Sequence, residues 1–345
     1  MDNLTHSLAG ALLSQMGLKR LTGRATATLI IAANIPDIDA VASVFGTTSL
    51  AMRRGITHGP IALLLLPLLL TGLVLAWERW RPNKAGVPVR AGLLLLLAYI
   101  GTLSHPALDW LNSYGIRLLE PFSSRWSYGD TLFIIDVWIW TALIVGFLWS
   151  RRREKRGGDW QRPAWVGFTA ICAYILANGL ITTRAEALGT EAVTRMVQIE
   201  PVEPMNRVIY RRDATPAPPP GTAMAQPELV VANPQPGLFW RRTVLWRGSG
   251  LGGQLDYDWL REPGGIILEG DGVPLRLDHP ALGRARDRPD VRAFLFWSRM
   301  PVVVEENGRI LLKDQRFASA LRNSASRTIG SYDPFTVELS RSAPR

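Results

Sequence analysis

Long stretches with almost no charged side chain limit this chain's possible folds more than any other feature of its sequence. About 20 consecutive apolar residues are needed for one helix to cross the hydrocarbon core of a bilayer. Four segments carry no charged side chain or almost none, namely Gly59–Trp77, Ala91–Trp110, the shorter Val137–Ser150 and Pro163–Thr183. They predict a polytopic helical membrane domain over residues 1–184.

The apolar periodicity predicts six helices in this domain, with the first two shorter or less apolar than full membrane spans and therefore re-entrant or tilted. The predicted ranges are about 4–18, 24–45, 58–79, 90–112, 131–150 and 163–184. Thirteen of the seventeen Lys and Arg before residue 184 lie in the linkers 19–24, 79–90 and 151–162. The positive-inside rule makes these linkers cytoplasmic and the opposite ends of the helices periplasmic.

The formal net charge of +10 does not indicate a nucleic-acid partner, because the basic residues form short clusters beside apolar runs. Membrane lipids are the expected surroundings. The single cysteine, Cys172, lies within an apolar run, so neither a disulfide framework nor a thiolate metal site is expected. Any metal would be held by His, Asp, Glu or Asn.

The remainder of the chain has a soluble character, and the last predicted helix places it on the periplasmic side. Residues 185–221 are expected to connect the two domains and include the Pro-rich segment Ala214–Gly221, which is typical of a stiff linker. Residues 222–345 predict a small, mainly β extracytoplasmic domain, which could bind a protein partner. Its short apolar runs are Leu238–Trp246, Gly265–Leu268, Ala293–Trp297 and Val302–Val304.

Acidic residues and histidines collect at the predicted periplasmic face of the membrane domain. Seven of the ten acidic residues before residue 184 are expected there, together with three of the four histidines of the chain. A carboxylate in an apolar helix is costly unless it is paired or bound to a metal. These residues are Asp2, Asp37, Asp39, Asp109, Glu120, Asp130, Asp136, His6, His58 and His105.

The spacing of these residues favours a metal site. His105 and Asp109 are four residues apart on one predicted helix, which places both on one face, and Asn112 continues that face. Asp37 and Asp39 follow Pro36, so that a turn could direct both carboxylates at one cation. Taken singly, such residues are more often helix caps or turn formers, and Asp136 could pair with Arg117 or Arg125.

The chain resembles the membrane-bound metal-dependent hydrolases, also described as LexA-binding inner-membrane-associated hydrolases. The resemblance covers about residues 1–150 and rests on motifs in the same order: Asn3-Leu4-Thr5-His6, Pro36-Asp37-Ile38-Asp39, Arg54-Gly55-Ile56-Thr57-His58, Ser104-His105-Pro106-Ala107-Leu108-Asp109-Trp110 and Trp126 with Gly129-Asp130. It implies a bacterial inner-membrane protein with a divalent metal centre, mostly Zn²⁺, and hydrolase activity. Many relatives carry a histidine where this chain has Arg53, so one potential ligand is absent.

These observations lead to a hypothesis for the site. His6, His58, His105 and Asp109 hold one metal ion, and Asp37 and Asp39 complete the site or bridge a second ion. Asp130 or Asp136 would act as general base towards a metal-activated water, while Arg54 and Arg125 would bind an anionic group. The expected substrate is a phosphoester of a lipid or a lipid-linked compound.

Two other functions are open at this point. A metal transporter also places His and Asp in a membrane, although the apolar runs Gly59–Trp77 and Pro163–Thr183 have neither acidic residues nor histidine at midspan. A scaffold whose metal is structural would instead bind a protein partner through residues 222–345.

Overall fold

A computed structural model of the chain describes residues 1–82, 86–196, 208–211, 227–268, 272–317 and 335–341. They form two compact units. Unit 1 comprises Met1–Val41 and Arg54–Gly179, and unit 2 comprises Ala42–Arg53 and Leu180–Arg345. The Pro-rich segment Ala214–Gly221 lies outside the described residues.

The first half of the chain is mostly helical, and β-strands follow in the second half, as the sequence predicts. The α-helices of the described residues are α1 Asn3–Gln15, α2 Ala25–Ala32, α3 Ser49–Met52, α4 Pro60–Trp80, α5 Ala91–Trp110, α6 Val137–Lys155, α7 Gln161–Met196, α8 Pro280–Ala285 and α9 Pro289–Trp297. The strands are β1 Val208–Arg211, β2 Leu229–Gln235, β3 Leu238–Gly248, β4 Leu251–Asp258, β5 Gly265–Leu268, β6 Val273–Pro274, β7 Pro301–Glu306, β8 Arg309–Asp314 and β9 Thr336–Arg341.

Three predicted helices differ from the observed ones. The prediction of one helix over 24–45 is wrong, because α2 ends at Ala32 and a 3-10 segment follows over Ile35–Thr48, in which Pro36 cannot donate a helical hydrogen bond. The helix predicted from 131 begins at Val137, where the Asp136 carboxylate caps its first turn. Helix α7 continues past the predicted end at 184 to Met196.

Within the described residues, four helical segments are long and apolar enough to cross a membrane: Ala25–Met52, Pro60–Trp80, Ala91–Trp110 and Gln161–Arg195. The chain is therefore a membrane protein in its first half. Helix α6, which the sequence also predicted to be a span, does not reach the same length of apolar sequence. Its uncharged part stops at Ser150, and a run of basic residues forms its last turn.

Small residues let the helices of unit 1 approach one another closely. A Cβ atom at Gly10 of α1 would lie 2.6 Å from the Leu29 carbonyl oxygen of α2, and one at Gly101 of α5 would lie 2.6 Å from the Ala32 Cβ. Leu29 and Ala32 are fully buried. Helix α2 is thus packed against the backbones of α1 and α5.

Polar contacts join the helices of unit 1 at one end, which we call the basic end. Arg24, directly before α2, donates from Nε to Glu78 Oε2 of α4 at 2.6 Å. Lys19 Nζ lies 2.5 Å from Glu154 Oε1 of α6. The Arg90 backbone amide, directly before α5, donates to Thr22 Oγ1. The opposite end contains the end of α2, the beginning of α4 and the end of α5.

Unit 2 combines the last part of α7 with two antiparallel sheets. Its described strands form one sheet of order β1-β5-β4-β3-β2, with β6 beside β4, and a second sheet of order β7-β8-β9. Ala185 and Leu188 of α7 pack with Val244 and Trp246 on one face of β3, while Leu245 on the other face packs with Met300. The apolar run Ala293–Trp297, taken as part of the β pattern, is helical and belongs to α9.

The close approach of α5 to α2 makes a first testable prediction. Gly101→Ala places a Cβ atom against Ala32 and should lower the free energy of unfolding by about 1–3 kcal/mol, the usual cost of overpacking. Gly92→Ala is a control on the same helix, because its added Cβ would contact nothing within 4 Å. Thermal unfolding in detergent should show a lower melting temperature for Gly101→Ala only. Equal melting temperatures would contradict the packing.

Candidate metal centre

Four side chains from three segments converge at the end of unit 1 opposite the basic end. Asp37 comes from the 3-10 segment that follows α2, His58 from the short turn before α4, and His105 and Asp109 from the last turns of α5. One potential ligand atom of each lies within 4.8 Å of the others. The i, i+4 spacing on α5 brings its two ligands together, as the sequence predicts.

The atoms that face one another are two imidazole nitrogens and two carboxylate oxygens. His58 Nε2 and His105 Nε2 are 3.1 Å apart. Asp37 Oδ1 lies 3.9 Å from His58 Nε2 and 3.6 Å from His105 Nε2. Asp109 Oδ2 lies 3.7 Å from both nitrogens. Both imidazoles and Asp109 are fully buried, and Asp37 is almost so.

The other nitrogen of each imidazole has a partner that fixes the tautomer. His105 Nδ1 lies 2.6 Å from the Ala33 carbonyl oxygen, which can only accept, so Nδ1 carries the proton. His58 Nδ1 lies 3.5 Å from Asp39 Oδ2 and 2.9 Å from Thr57 Oγ1. Burial lowers the pKa of His58 despite the opposing effect of Asp39. In neutral imidazoles held in this way, both Nε2 atoms present lone pairs to each other.

This donor set fits a divalent metal ion. Two lone pairs 3.1 Å apart repel each other in a buried site, and Asp37 Oδ1 has no hydrogen-bond partner there. A cation between them removes both costs. Nitrogens bound at 2.0–2.1 Å to a tetrahedral zinc lie about 3.3 Å apart, close to the observed separation. Imidazole and carboxylate together also accept other transition metals, so the geometry does not select one.

Arg54 holds Asp109 in place. Its Nη2 donates to Asp109 Oδ1 at 3.2 Å, and its Nε lies 2.9 Å from Asp109 Oδ2. Its Nη1 donates to Asn112 Oδ1 at 2.9 Å. The buried guanidinium thus contacts both the carboxylate and the amide, an arrangement suited to positioning Asp109. The binding of an anionic group by Arg54 stays a prediction.

His6 and Asp39, also predicted as ligands, lie just outside the group of four. His6 stacks on His105 with ring centroids 3.8 Å apart, and its Nε2 lies 3.2 Å from Asp109 Oδ1, which also pairs with the Met1 amino group. Asp39 Oδ2 accepts from the Arg54 backbone amide and from Thr57 Oγ1. Both residues therefore support ligands of the group.

The two predicted general bases have different surroundings. Asp136 Oδ1 accepts from the Trp138 and Ile139 amides at the start of α6, and the Tyr174 hydroxyl donates to the same carboxylate. This bonding accounts for Asp136 as a helix cap. Asp130 is buried, has φ +49°, and its neighbours Gly129 and Thr131 donate to carbonyl oxygens at the end of α5.

Two contributors were not predicted from the sequence. Thr57 precedes His58 and bonds both its imidazole and Asp39, and its place in the Arg54–His58 motif was a usable signal. The Ala33 carbonyl oxygen gives no sequence signal, because any residue supplies one. It reaches His105 since α2 ends there and leaves its last carbonyl groups without helical partners.

Comparison with known proteins places the chain in a family. The model of the YdjM inner membrane protein family matches residues 1–185, which is more than half of the chain and includes every residue of the metal centre. The chain belongs to this family. None of the curated proteins and none of the solved structures compared with the chain matches it. Membership in the YdjM family supports the inner membrane as its location.

Metal content tests the centre directly. The detergent-purified protein should contain a divalent transition metal, and His58→Ala and His105→Ala should lose it because each removes one nitrogen ligand. His6→Ala should keep the metal with an affinity about 10–100-fold lower, as expected for a residue that only supports a ligand. Elemental analysis and chelator competition measure both effects.

His279→Ala is the matched control, because this histidine lies in unit 2, where it caps α8. It should bind metal like the unaltered protein. A protein that holds no metal after incubation with zinc or manganese would contradict the assignment.

Proposed function

We propose that the chain is a metal-dependent hydrolase of the inner membrane that uses a metal-activated water. The observation that carries this proposal is the convergence of His58 Nε2, His105 Nε2, Asp37 Oδ1 and Asp109 Oδ2 in a buried site. These four side chains would hold a divalent ion, which would supply Lewis-acid chemistry: a bound water with a pKa of about 7 and polarisation of a phosphoryl or carbonyl oxygen. Zn²⁺ is the proposed ion, on the basis of the resemblance stated above.

Different residues of the chain would bind the metal and accept the proton of the water at such a site. Asp37, His58 and His105 are the stronger ligands, since Asp109 shares its negative charge with Arg54. If water replaced Asp109 as the fourth ligand, the site would have the three protein ligands and one water of a catalytic zinc site. Asp130, beside the end of α5, is the proposed general base, because Asp136 already serves as a helix cap.

Exposed apolar side chains next to the ligands support a lipid substrate. Ile38 is 53% exposed although it lies between Asp37 and Asp39, and Ile56 is 66% exposed two residues before His58. Ile38 lies within the apolar segment Ala25–Met52. Membrane lipid would cover these side chains, and the acyl chains of a lipid substrate could approach the ligands along the same surface. We therefore propose a phosphoester of a lipid or lipid-linked compound as the substrate.

The two alternatives are less well supported. Transport requires a polar path across the membrane, and the apolar parts of α4 and α7 carry no ionisable group at midspan. A purely structural metal does not need the exposed apolar rim at Ile38 and Ile56. Binding of a protein partner through residues 222–345 remains a prediction from the sequence.

We further propose that the metal centre and residues 185–345 face the periplasm. Lys19, Arg24 and Arg90 of the basic end belong to the linkers that the positive-inside rule predicts to be cytoplasmic. Helix α6 has 19 residues and is therefore about 28 Å long, close to the hydrocarbon thickness, if its terminal Arg and Lys side chains extend into the headgroups. If α6 crosses the membrane, consecutive helices run in opposite directions, and α7 runs from the cytoplasmic to the periplasmic side.

Membrane orientation can be tested with reporter fusions. Alkaline phosphatase fused after Arg345 should be active, because it folds only outside the cytoplasm, and a fusion after Arg156 at the basic end should be inactive. The second fusion is the control for expression without export. The reverse pattern would place the metal centre on the cytoplasmic side.

Hydrolysis is tested with a panel of phospholipids and lipid-linked phosphoesters in detergent. The zinc-loaded protein should release product. His105→Ala should lose activity together with its metal, whereas Asp130→Asn should keep the metal and lose about 10²–10⁴-fold in kcat, the usual contribution of a general base. His279→Ala should retain full activity.

Two results would reject the hydrolase. One is unchanged turnover in His105→Ala. The other is zinc uptake into proteoliposomes without hydrolysis of any substrate, which would favour the transporter.

A further inference from the structure

The basic end of unit 1 contains a cavity that the proposed hydrolase does not use. Its volume is about 490 Å³. Lys19, Arg20 and Arg24 line it together with Trp160, Val87 and a single acid, Glu154. The cavity thus combines three cationic side chains with an aromatic and an apolar wall, at the end of the bundle opposite the metal centre.

The three cations are available to different extents. Lys19 pairs with Glu154, and Arg24 donates to Glu78 and to the Arg81 carbonyl oxygen. Arg20 is exposed, and within the described residues its one recorded partner is the face of Trp160, 4.8 Å from the ring centroid. Lys19 Nζ lies 4.0 Å from the same ring. Trp160 thereby holds two positive charges side by side at the cavity.

Helix α2 begins in the same cavity. Its N-cap residue, Arg24, has φ +63° and makes no capping hydrogen bond through its side chain. The backbone amides of the first turn, Ala25, Thr26 and Ala27, belong to residues that line the cavity. Uncapped amides at a helix N-terminus carry partial positive charge and bind anions. They add to the guanidinium and ammonium groups already there.

We infer that this cavity binds the phosphate headgroup of an acidic phospholipid. An Arg guanidinium and free amide donors suit phosphate oxygens, and an ammonium group adds charge. A cavity at the end of membrane-spanning helices lies at headgroup depth, where Trp is also favoured. Val87 and the alanines of α2 provide an apolar wall for the glycerol backbone. Basic pockets between membrane helices bind acidic lipid headgroups in the same way.

Native mass spectrometry of the detergent-purified full chain tests this inference. Phosphatidylglycerol should bind more tightly than phosphatidylcholine with the same acyl chains. The double variant Lys19→Gln/Arg20→Gln should weaken phosphatidylglycerol binding about 25-fold, as expected from about fivefold for each basic residue near a lipid surface. The double variant Arg152→Gln/Arg153→Gln removes the same charge from exposed positions of α6 outside the cavity and should bind like the unaltered protein.

Three results would overturn the inference. They are equal affinity for the two lipids, equal loss in both double variants, and displacement of the lipid by an equal concentration of inorganic phosphate, which would indicate a site for a soluble anion. Thermal unfolding of each variant checks that the helical bundle is intact. None of these readouts depends on metal or hydrolysis, so the inference stands or falls separately from the proposed function.

Discussion

Two imidazole nitrogens that face each other at 3.1 Å, with a buried carboxylate oxygen beside them, are the interaction on which the rest of unit 1 depends. Without a cation, this arrangement is unfavourable for two reasons: the nitrogen lone pairs repel each other, and the carboxylate charge is buried. The surroundings fix it in place, since the Ala33 carbonyl oxygen and Thr57 Oγ1 lie within hydrogen-bond distance of the far nitrogens and Arg54 pairs with Asp109. A site that is costly when empty and rigid in its supports is suited to strong metal binding.

Helix packing and site geometry are linked through the end of α2. His105 reaches the Ala33 carbonyl oxygen only because α5 lies against α2, and Gly101, one turn earlier on α5, permits that approach to Ala32. Because α2 ends at Ala32, the chain can continue as the 3-10 segment that carries Asp37. A longer α2 would keep its carbonyl groups in helical hydrogen bonds and move this carboxylate away. The sequence predicts one continuous helix over this region, and the observed break in it is part of the metal centre.

The sequence predicts the helical first half, the β-containing second half and the meeting of Asp37, His58, His105 and Asp109, because apolar runs and i, i+4 spacing act locally or through a shared membrane face. The sequence does not distinguish the residues that bind the metal from the residues that position those ligands. His6 and Asp39 have the right chemistry, but whether they touch the metal depends on long-range packing of α1 and on the turn at Arg54. The role of Asp136 was open for the same reason, since a carboxylate before an apolar helix can be a cap or a base.

The division of charge within unit 1 connects both proposals. Most acidic groups and three histidines lie at one end, most basic groups lie at the other, and the apolar parts of α4 and α5 lie between them. Counter-charges at each membrane surface stabilise such a distribution. Metal ions can supply them at one end and lipid phosphates at the other, where Arg20 has no ion-pair partner among the described residues. The same separation argues against a conduction path, because no described ionisable group bridges the apolar part of α4.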